Sequence, residues 1–353
     1  MVHPDRDSAT SRRTFLKCSL AAGSATLLQT NLKMALADTR PDWKAQIGLE
    51  LYTVRDLMAQ NYEGVLAQVA EIGYKEVEPA SGYNNLDPRS FRALLDRYGL
   101  SMPSTHSNYP SGRGAELEKQ LEAQQIMGIR YTEVRNAGGG VGAARNAAGA
   151  ERPANLPPGA YYNPGTRTVR NSFKEMEVFG PYQPRTTLEA AKKRAAELNA
   201  NGRIAAKFGI KLFVHNHTGE FERLADSDQT EFEILVNETD PNLVTMQLDI
   251  GWVYVAGVDP VELFNRYPGR YELWHVKDVF GLNTVNPKLS PNERQSSLAF
   301  GPIGTGHIDY KKIFANAALA GLKHFAVEQD NAAVWGDSLA AARISYQNLL
   351  AVL

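Results

Sequence analysis

Short apolar runs alternate along the chain with longer stretches in which apolar residues recur at three- and four-residue spacing. The runs predict strands buried on both faces and the spaced stretches predict helices packed over them; their alternation predicts a parallel α/β domain. Strands are expected at 47–53, 75–79, 101–106, 130–135, 211–215, 243–249, 271–276 and 323–328. Between them, Val65, Val69 and Ile72 share a helical face that closes at Gly73, Asp87-Pro88 reads as a cap with proline in the first turn, and a helix spans 115–127. Leu188, Ala191, Ala195, Leu198, Ile204 and Phe208 continue the helical period, followed by helices over 231–237 and from Asp259-Pro260. A helix ending at Gly321 and a closing helix complete the chain. Eight strand-helix pairs fit a (β/α)8 TIM barrel better than an open sheet. Two stretches break the rhythm and are expected as long excursions, one after strand 4 (137–184) and one after strand 7 (278–303). In the first, Tyr161, Tyr162, Phe179 and Tyr182 fit either a lid over a pocket or the packing of a static loop.

The first 37 residues stand apart. Ser11-Arg12-Arg13-Thr14-Phe15-Leu16-Lys17 has the form of a twin-arginine export signal, followed by a mildly apolar run from Leu20 to Leu28 and a small-residue cleavage site at Ala35-Leu36-Ala37. The expected organisation is a signal peptide over 1–37 and one barrel domain over 38–353, exported already folded by the twin-arginine machinery to the periplasm. Cys18 is the sole cysteine and leaves with the signal, so the mature chain has no disulfide, no thiolate ligand and no thiol nucleophile.

Composition narrows the partners. The hydrophobic share of 43% and charged share of 22% are those of a globular domain. A net charge of −1, with 38 Lys and Arg against 39 Asp and Glu, supplies no excess to neutralise a nucleic-acid backbone. Removing the signal takes five basic and two acidic residues and makes the mature chain more acidic. No membrane span is expected after cleavage. The expected partner is a small sugar, and a homo-oligomer is left open.

The chemistry gathers at the strand ends. Phe213-Val214-His215-Asn216-His217 opens an apolar run into two histidines, with Glu220 shortly after, and Asp249, His275 and Glu328 end later strands. In a (β/α)8 barrel these positions meet at one face, where ligands distant in sequence converge on one ion. A mixed imidazole and carboxylate shell suits Mn, Co, Zn or Fe and is less natural for Ca. His215, Asp249, His275 and Glu328 are therefore candidate metal ligands, with Glu220 as the alternative from strand 5. Taken singly, Asp249 could as well cap the turn before Gly251, and Lys277 could pair with Asp278. His3, His307 and His324 read as ordinary histidines. Gly304-Thr305-Gly306 fits neither the dinucleotide nor the P-loop spacing, and Asp309 reads as a helix cap.

Leu248-Asp249-Ile250-Gly251-Trp252, His275-Val276-Lys277-Asp278, Gly304-Thr305-Gly306-His307-Ile308-Asp309 and Val327-Glu328-Gln329-Asp330, with His215-Asn216-His217 upstream, resemble the sugar phosphate isomerase/epimerase superfamily with its xylose isomerase-like TIM barrel. The resemblance implies one divalent metal ion (Mn, Co, Zn, Fe or Mg) held from strands 5 to 8, and proton abstraction next to a sugar carbonyl. Asp249, His275 and Glu328 match its pattern. Strand 5 departs from it, because many members carry a glutamate where this chain has His215. The leading expectation is a metal-dependent sugar isomerase or epimerase in which Glu328 or His217 moves the proton and Lys277 adds positive charge at the developing oxyanion. The alternatives are a metal-dependent lyase or hydratase on 3-keto-glycosides, and a non-catalytic periplasmic sugar-binding protein. Glu50, Tyr52, Glu78 and His106, at earlier strand ends, are expected to bind substrate hydroxyls, and Trp252 fits either stacking on a sugar face or a wall of the pocket.

Overall fold

The apolar runs become the staves of one parallel sheet. The structure, a computed structural model, describes residues 41–80, 82–106, 114–133, 161–163, 168–170, 186–295, 298–335 and 337–353. Backbone contacts divide the chain into Met1–Trp43, of which only 41–43 are described, and Lys44–Leu353, which holds the barrel. The expected signal peptide, Phe179 and Tyr182 lie outside the described residues.

The barrel strands are β1 (Gly48–Glu50), β2 (Glu76–Glu78), β3 (Ser104–Thr105), β4 (Tyr131–Glu133), β5 (Lys211–His215), β6 (Val244–Asp249), β7 (Leu273–Val276) and β8 (His324–Val327). They pair in the order β2-β1-β8-β7-β6-β5-β4-β3, all parallel. A parallel bridge between Glu76 and Ser101 joins the two ends of this order. There Val77 N donates to Ser101 O, Ser101 N to Lys75 O and His106 N to Pro79 O, each at 2.9 Å. The fold is the (β/α)8 TIM barrel that the alternation predicts.

Some strands are shorter than their apolar runs, for local reasons. Pro103 has no N–H to give a ladder, so the third strand keeps only Ser104 and Thr105 as strand. After Glu50 the chain winds into a 3₁₀ turn over Leu51–Val54, which ends the first strand well before Thr53.

Helix caps follow the sequence signals. Asp87 Oδ1 accepts from Arg89 N and Ser90 N, Thr187 Oγ1 from Ala190 N, Asp259 Oδ1 from Val261 N and Asp309 Oδ1 from Lys312 N. Outward-facing strand residues carry the apolar core. Trp274, buried on β7, stacks on Phe264 of the helix Pro260–Arg266 at a centroid distance of 5.1 Å and an interplanar angle of 5°. Such a pair adds about 0.5–1.5 kcal/mol beyond the area it buries. No described helix is long and apolar enough to cross a membrane.

The excursion after β4 is described only as an antiparallel ribbon of Tyr161–Asn163 with Thr168–Arg170. The excursion after β7 has its own structure. Asp278–Phe280 pairs antiparallel with Ala299–Gly301, and a helical turn spans Pro291–Arg294. That turn is pinned to the barrel: Asn292 N donates to Glu222 Oε1 (2.9 Å), Thr218 Oγ1 to Asn292 Oδ1 (3.0 Å) and Arg294 Nε to Val255 O (2.8 Å).

Candidate metal and acid–base centre

Side chains of a strand alternate between its two faces, so residues two apart on one stave both point into the barrel. This rule places Gln247 and Asp249 of β6 on the inner face. Register sets Glu50 beside Glu78, His215 beside Gln247, and Asp249 beside His275. With His106, Glu133, Lys277, Glu328 and Asp330 they form a polar interior in which every member is buried.

Within it, His215, Asp249, His275 and Glu328 each offer a ligand atom within 4.8 Å of those of the other three. These are the four residues expected from sequence. Asp249 Oδ2 lies 3.8 Å from His215 Nε2 and 3.9 Å from His275 Nδ1, and Glu328 Oε2 lies 2.7 Å from His275 Nδ1. Two further groups of similar closeness share His275, namely His106 with His215, and Glu50 with Glu78. Glu220 is not part of any of these groups. Its Oε2 accepts from the backbone N of His217 at 2.8 Å, which ties the carboxylate to its own turn.

Asp249 uses its two carboxylate oxygens differently. Its Oδ1 accepts from Trp252 N at 2.9 Å and caps the helix Ile250–Ala256, which is the bland reading of the residue. Its Oδ2 is buried and ion-paired with Lys277 Nζ at 2.8 Å. His215 Nε2 and His275 Nδ1 face that same oxygen at 3.8 and 3.9 Å, beyond hydrogen-bond range and open to a cation shared between them. The two imidazoles and two carboxylates fit a four-coordinate divalent ion.

Lys277 is fully buried and does not pair with Asp278. Its Nζ donates to Glu328 Oε2 (2.7 Å) and Asp330 Oδ2 (2.8 Å), and Phe300 and Trp252 cover it with ring centroids at 4.9 and 5.7 Å. Gly251 makes this approach available, because a Cβ there would meet Lys277 Cγ. Asp278 turns instead to the Gly304-Thr305-Gly306-His307-Ile308 loop. Its Oδ2 accepts from Gly304 N and Gly306 N (both 2.9 Å) and its Oδ1 from Ile308 N (3.0 Å) and Val279 N (2.9 Å). The glycine loop thus binds an anion of its own chain, and Gly306 leaves room for that carboxylate.

The electrostatics follow from burial and from these neighbours. Burial disfavours the Lys277 charge, but Asp249, Asp330 and Glu328 outweigh it and hold its pKa well above the ordinary lysine value. Burial likewise opposes a charged His275, yet Glu328 and Glu78 raise it to about 10. Burial raises Asp249 to about 7, with Lys277 pulling down and Glu328 pushing up. Glu328 moves well below the usual carboxylate range, because Lys277 and His275 overcome its burial. His215 goes the other way from His275: burial and the nearby His275 and His217 depress it well below the usual histidine value. Glu50 is raised by burial and by Glu78, and its Oε2 makes no hydrogen bond.

The remaining expected site residues divide. Glu78 is engaged by its neighbours, accepting from Ser104 Oγ and Gln247 Nε2 and contacting His275 Nε2 (2.7 Å) and His106 Nε2 (2.9 Å). His106 also contacts Glu133 Oε2 through Nδ1 at 2.9 Å. Tyr52 is half-buried with the Arg55 guanidinium 3.8 Å over its ring. His217 is half-buried, its ring 4.9 Å from that of His215 and 5.5 Å from Trp252. Trp252 itself is buried, with Phe300 edge-on at 4.6 Å. His307 and His324 stay outside the clusters, on Val279 O and Glu76. Sequence reasoning did not single out Gln247, Glu133, Asp330 or Asn216. The signal for Gln247 was its position two residues before Asp249 on one stave, and for Glu133 its place at the end of the fourth strand. Asn216 follows His215, and its Oδ1 accepts from Asp249 N at 3.0 Å.

A polar cluster at the strand ends of a (β/α)8 barrel, with converging histidines and carboxylates, defines a class, and the comparisons agree. The chain belongs to the xylose isomerase-like TIM barrel family, whose model matches residues 66–344. It is similar to the inosose dehydratase of Geobacillus kaustophilus, 28% identical over 222 residues, which are 61% of this chain and 61% of that protein. Among solved structures, a sugar phosphate isomerase/epimerase from Parabacteroides distasonis shares the fold with a TM-score of 0.62 at 20% identity, over 87% of this chain and 94% of that one. A xylose isomerase-like TIM barrel protein from Mycobacterium smegmatis in complex with magnesium does so with a TM-score of 0.55 at 17% identity, over 87% and 96%.

Proposed function

We propose that this protein is a divalent-metal-dependent enzyme that removes a proton next to the carbonyl of a keto-sugar or keto-cyclitol, with loss of water as the net reaction. His215, Asp249, His275 and Glu328 would hold the ion, which would supply Lewis-acid polarisation of the substrate carbonyl.

One observation carries the choice of elimination. Strand 5 ends in His215, and the carboxylate nearest it in sequence, Glu220, is held by the His217 backbone N at 2.8 Å. Glu328 therefore has no carboxylate from strand 5 to face it across a substrate, as a symmetric two-carboxylate epimerisation needs. The proton mover is His217. Glu328, depressed by Lys277 and His275 against its burial, is a weak base at neutral pH, whereas the half-buried His217 sits at the edge of the cluster. Lys277, fixed among Asp249, Glu328 and Asp330, directs positive charge towards the oxygen that gains electrons. Glu50, with its carboxyl raised by burial and Glu78, offers a hydrogen-bond donor to a substrate hydroxyl. The activity named for the Geobacillus kaustophilus relative supports this reading.

Epimerisation or isomerisation is the second reading, favoured by the retention of Asp249, His275 and Glu328 in the positions the superfamily uses. Product analysis in D₂O separates them. Metal-loaded protein incubated with an inosose and a panel of keto-sugars is expected to give an unsaturated or dehydrated product. A deuterated epimer or an aldose/ketose pair would move the protein to the second reading. Binding without turnover would place it among non-catalytic sugar binders.

A further inference from the structure

The buried amide of Gln247 decides where the hydrogens around it lie. Its Nε2 group donates to both oxygens of Glu78, at 3.0 and 2.9 Å. Glu78 also accepts from Ser104 Oγ and faces His275 Nε2 at 2.7 Å, so it is an acceptor on every side and the amide has one orientation. The Gln247 oxygen must then face the imidazoles, 2.6 Å from His106 Nε2 and 2.9 Å from His215 Nδ1. A carbonyl oxygen only accepts, so the hydrogen in the His215 bond belongs to Nδ1. The neutral ring is left with its lone pair on Nε2. A second observation agrees: His215 Nε2 stands 3.8 Å from Asp249 Oδ2, beyond hydrogen-bond range, as two acceptors with no hydrogen between them should.

We propose that Gln247 is a positioning residue which, by holding the hydrogen of His215 on Nδ1, presents Nε2 to the metal beside Asp249 Oδ2. The role rests on the metal-site reading above. Without this acceptor the ring is free to place its hydrogen on Nε2 and block the ligand atom. Which nitrogen of a ligating histidine binds metal is generally set by the hydrogen bond of the other.

The test begins with metal-free wild-type protein labelled with ¹⁵N-histidine, whose ring nitrogens are read by long-range ¹H–¹⁵N spectra, with His215→Gln used to assign the signals. The expected result is a neutral His215 with hydrogen on Nδ1. Hydrogen on Nε2 overturns the assignment, and this reading needs no Gln247 variant to fold. Gln247→Leu is then expected to lose the single tautomer and to weaken Zn²⁺ binding, measured by chelator competition, by about 10- to 100-fold. The exchange Glu78→Gln with Gln247→Glu keeps both an oxygen towards His215 and the amide–carboxylate bond, and is expected to recover the tautomer and most of the affinity. Unchanged affinity in a folded Gln247→Leu protein, or no recovery in the exchange, contradicts the role. A wild-type His215 with hydrogen on Nδ1 but no affinity for Zn²⁺ overturns the proposal through the metal-site reading, whereas hydrogen on Nε2 overturns it through Gln247.

Discussion

Lys277 Nζ lies 2.7 Å from Glu328 Oε2, joining the end of β7 to the end of β8 inside the barrel, where both groups are buried. The same ammonium lies 2.8 Å from Asp249 Oδ2 and from Asp330 Oδ2, so one cation contacts three carboxylates. Removing one partner from a buried ion network leaves the others uncompensated, which costs about 3–5 kcal/mol. Lys277→Met is expected to destabilise the metal-free protein by an amount of that order in urea unfolding. Added Zn²⁺ or Mn²⁺ should recover part of the loss, because an ion among Asp249 and Glu328 replaces some of the missing charge. A variant as stable as wild type would contradict the network.

The carboxylate of Asp278 takes four backbone N–H groups and folds the loop that follows the second excursion. Asp278→Ala leaves these donors without their acceptor, and a loss on the order of 3 kcal/mol is expected. Hydrogen exchange reads this locally. The amides of Gly304, Gly306 and Ile308 should exchange much faster in the variant, while those of β5 and β6 keep their protection.

Stability should depend on pH in a direction fixed by His275. Its pKa in the folded protein is about 10 against an ordinary 6.5, with burial opposing and Glu328 and Glu78 prevailing. A raised folded-state value stabilises fully below pH 6.5, and this stabilisation disappears as pH rises to about 10. Asp249, raised from 3.8 to about 7 by burial against the pull of Lys277, loses its contribution earlier, between those two values. Glu78 and Glu328, both depressed by their cationic neighbours despite burial, act oppositely and destabilise only as pH falls below about 4.5. The Tm of the metal-free protein should therefore fall between pH 6.5 and 10, with His106, raised by Glu78 and Glu133 against its burial, acting in the same sense, and His275→Asn should lessen that fall. A Tm rising over this range would be inconsistent with the charges assigned here.

How much of this was readable beforehand depended on whether a feature is periodic or relational. The strands were legible because apolar runs such as Leu212-Phe213-Val214 have one meaning in a two-sided sheet, and the caps at Asp87 and Asp259 because each precedes a proline. His215, Asp249, His275 and Glu328 were legible as strand ends. Partners were not. Lys277 stands next to Asp278 in sequence, yet neighbouring residues on an extended backbone point to opposite sides, so Lys277 meets Asp330 and Asp278 meets the glycine loop. Gln247 was invisible for a related reason: its importance lies in Glu78, His106 and His215, which come from three other staves.

The twin-arginine form of residues 11–17 makes export a separate proposal with its own test. Arg12→Lys together with Arg13→Lys should leave the full-length protein in the cytoplasmic fraction, whereas the unaltered chain should appear in the periplasm, shortened to begin near Asp38. Equal distribution of both proteins would remove the periplasmic assignment and leave the barrel chemistry untouched.

The account turns on one ion held by His215, Asp249, His275 and Glu328. Elemental analysis of protein purified without chelators tests this most directly, with Asp249→Ala and His275→Ala measured beside the wild type. One divalent ion per wild-type chain and substantial loss in both folded variants is the predicted result. Full metal content in Asp249→Ala and His275→Ala, or none in the wild type after reloading, would contradict it.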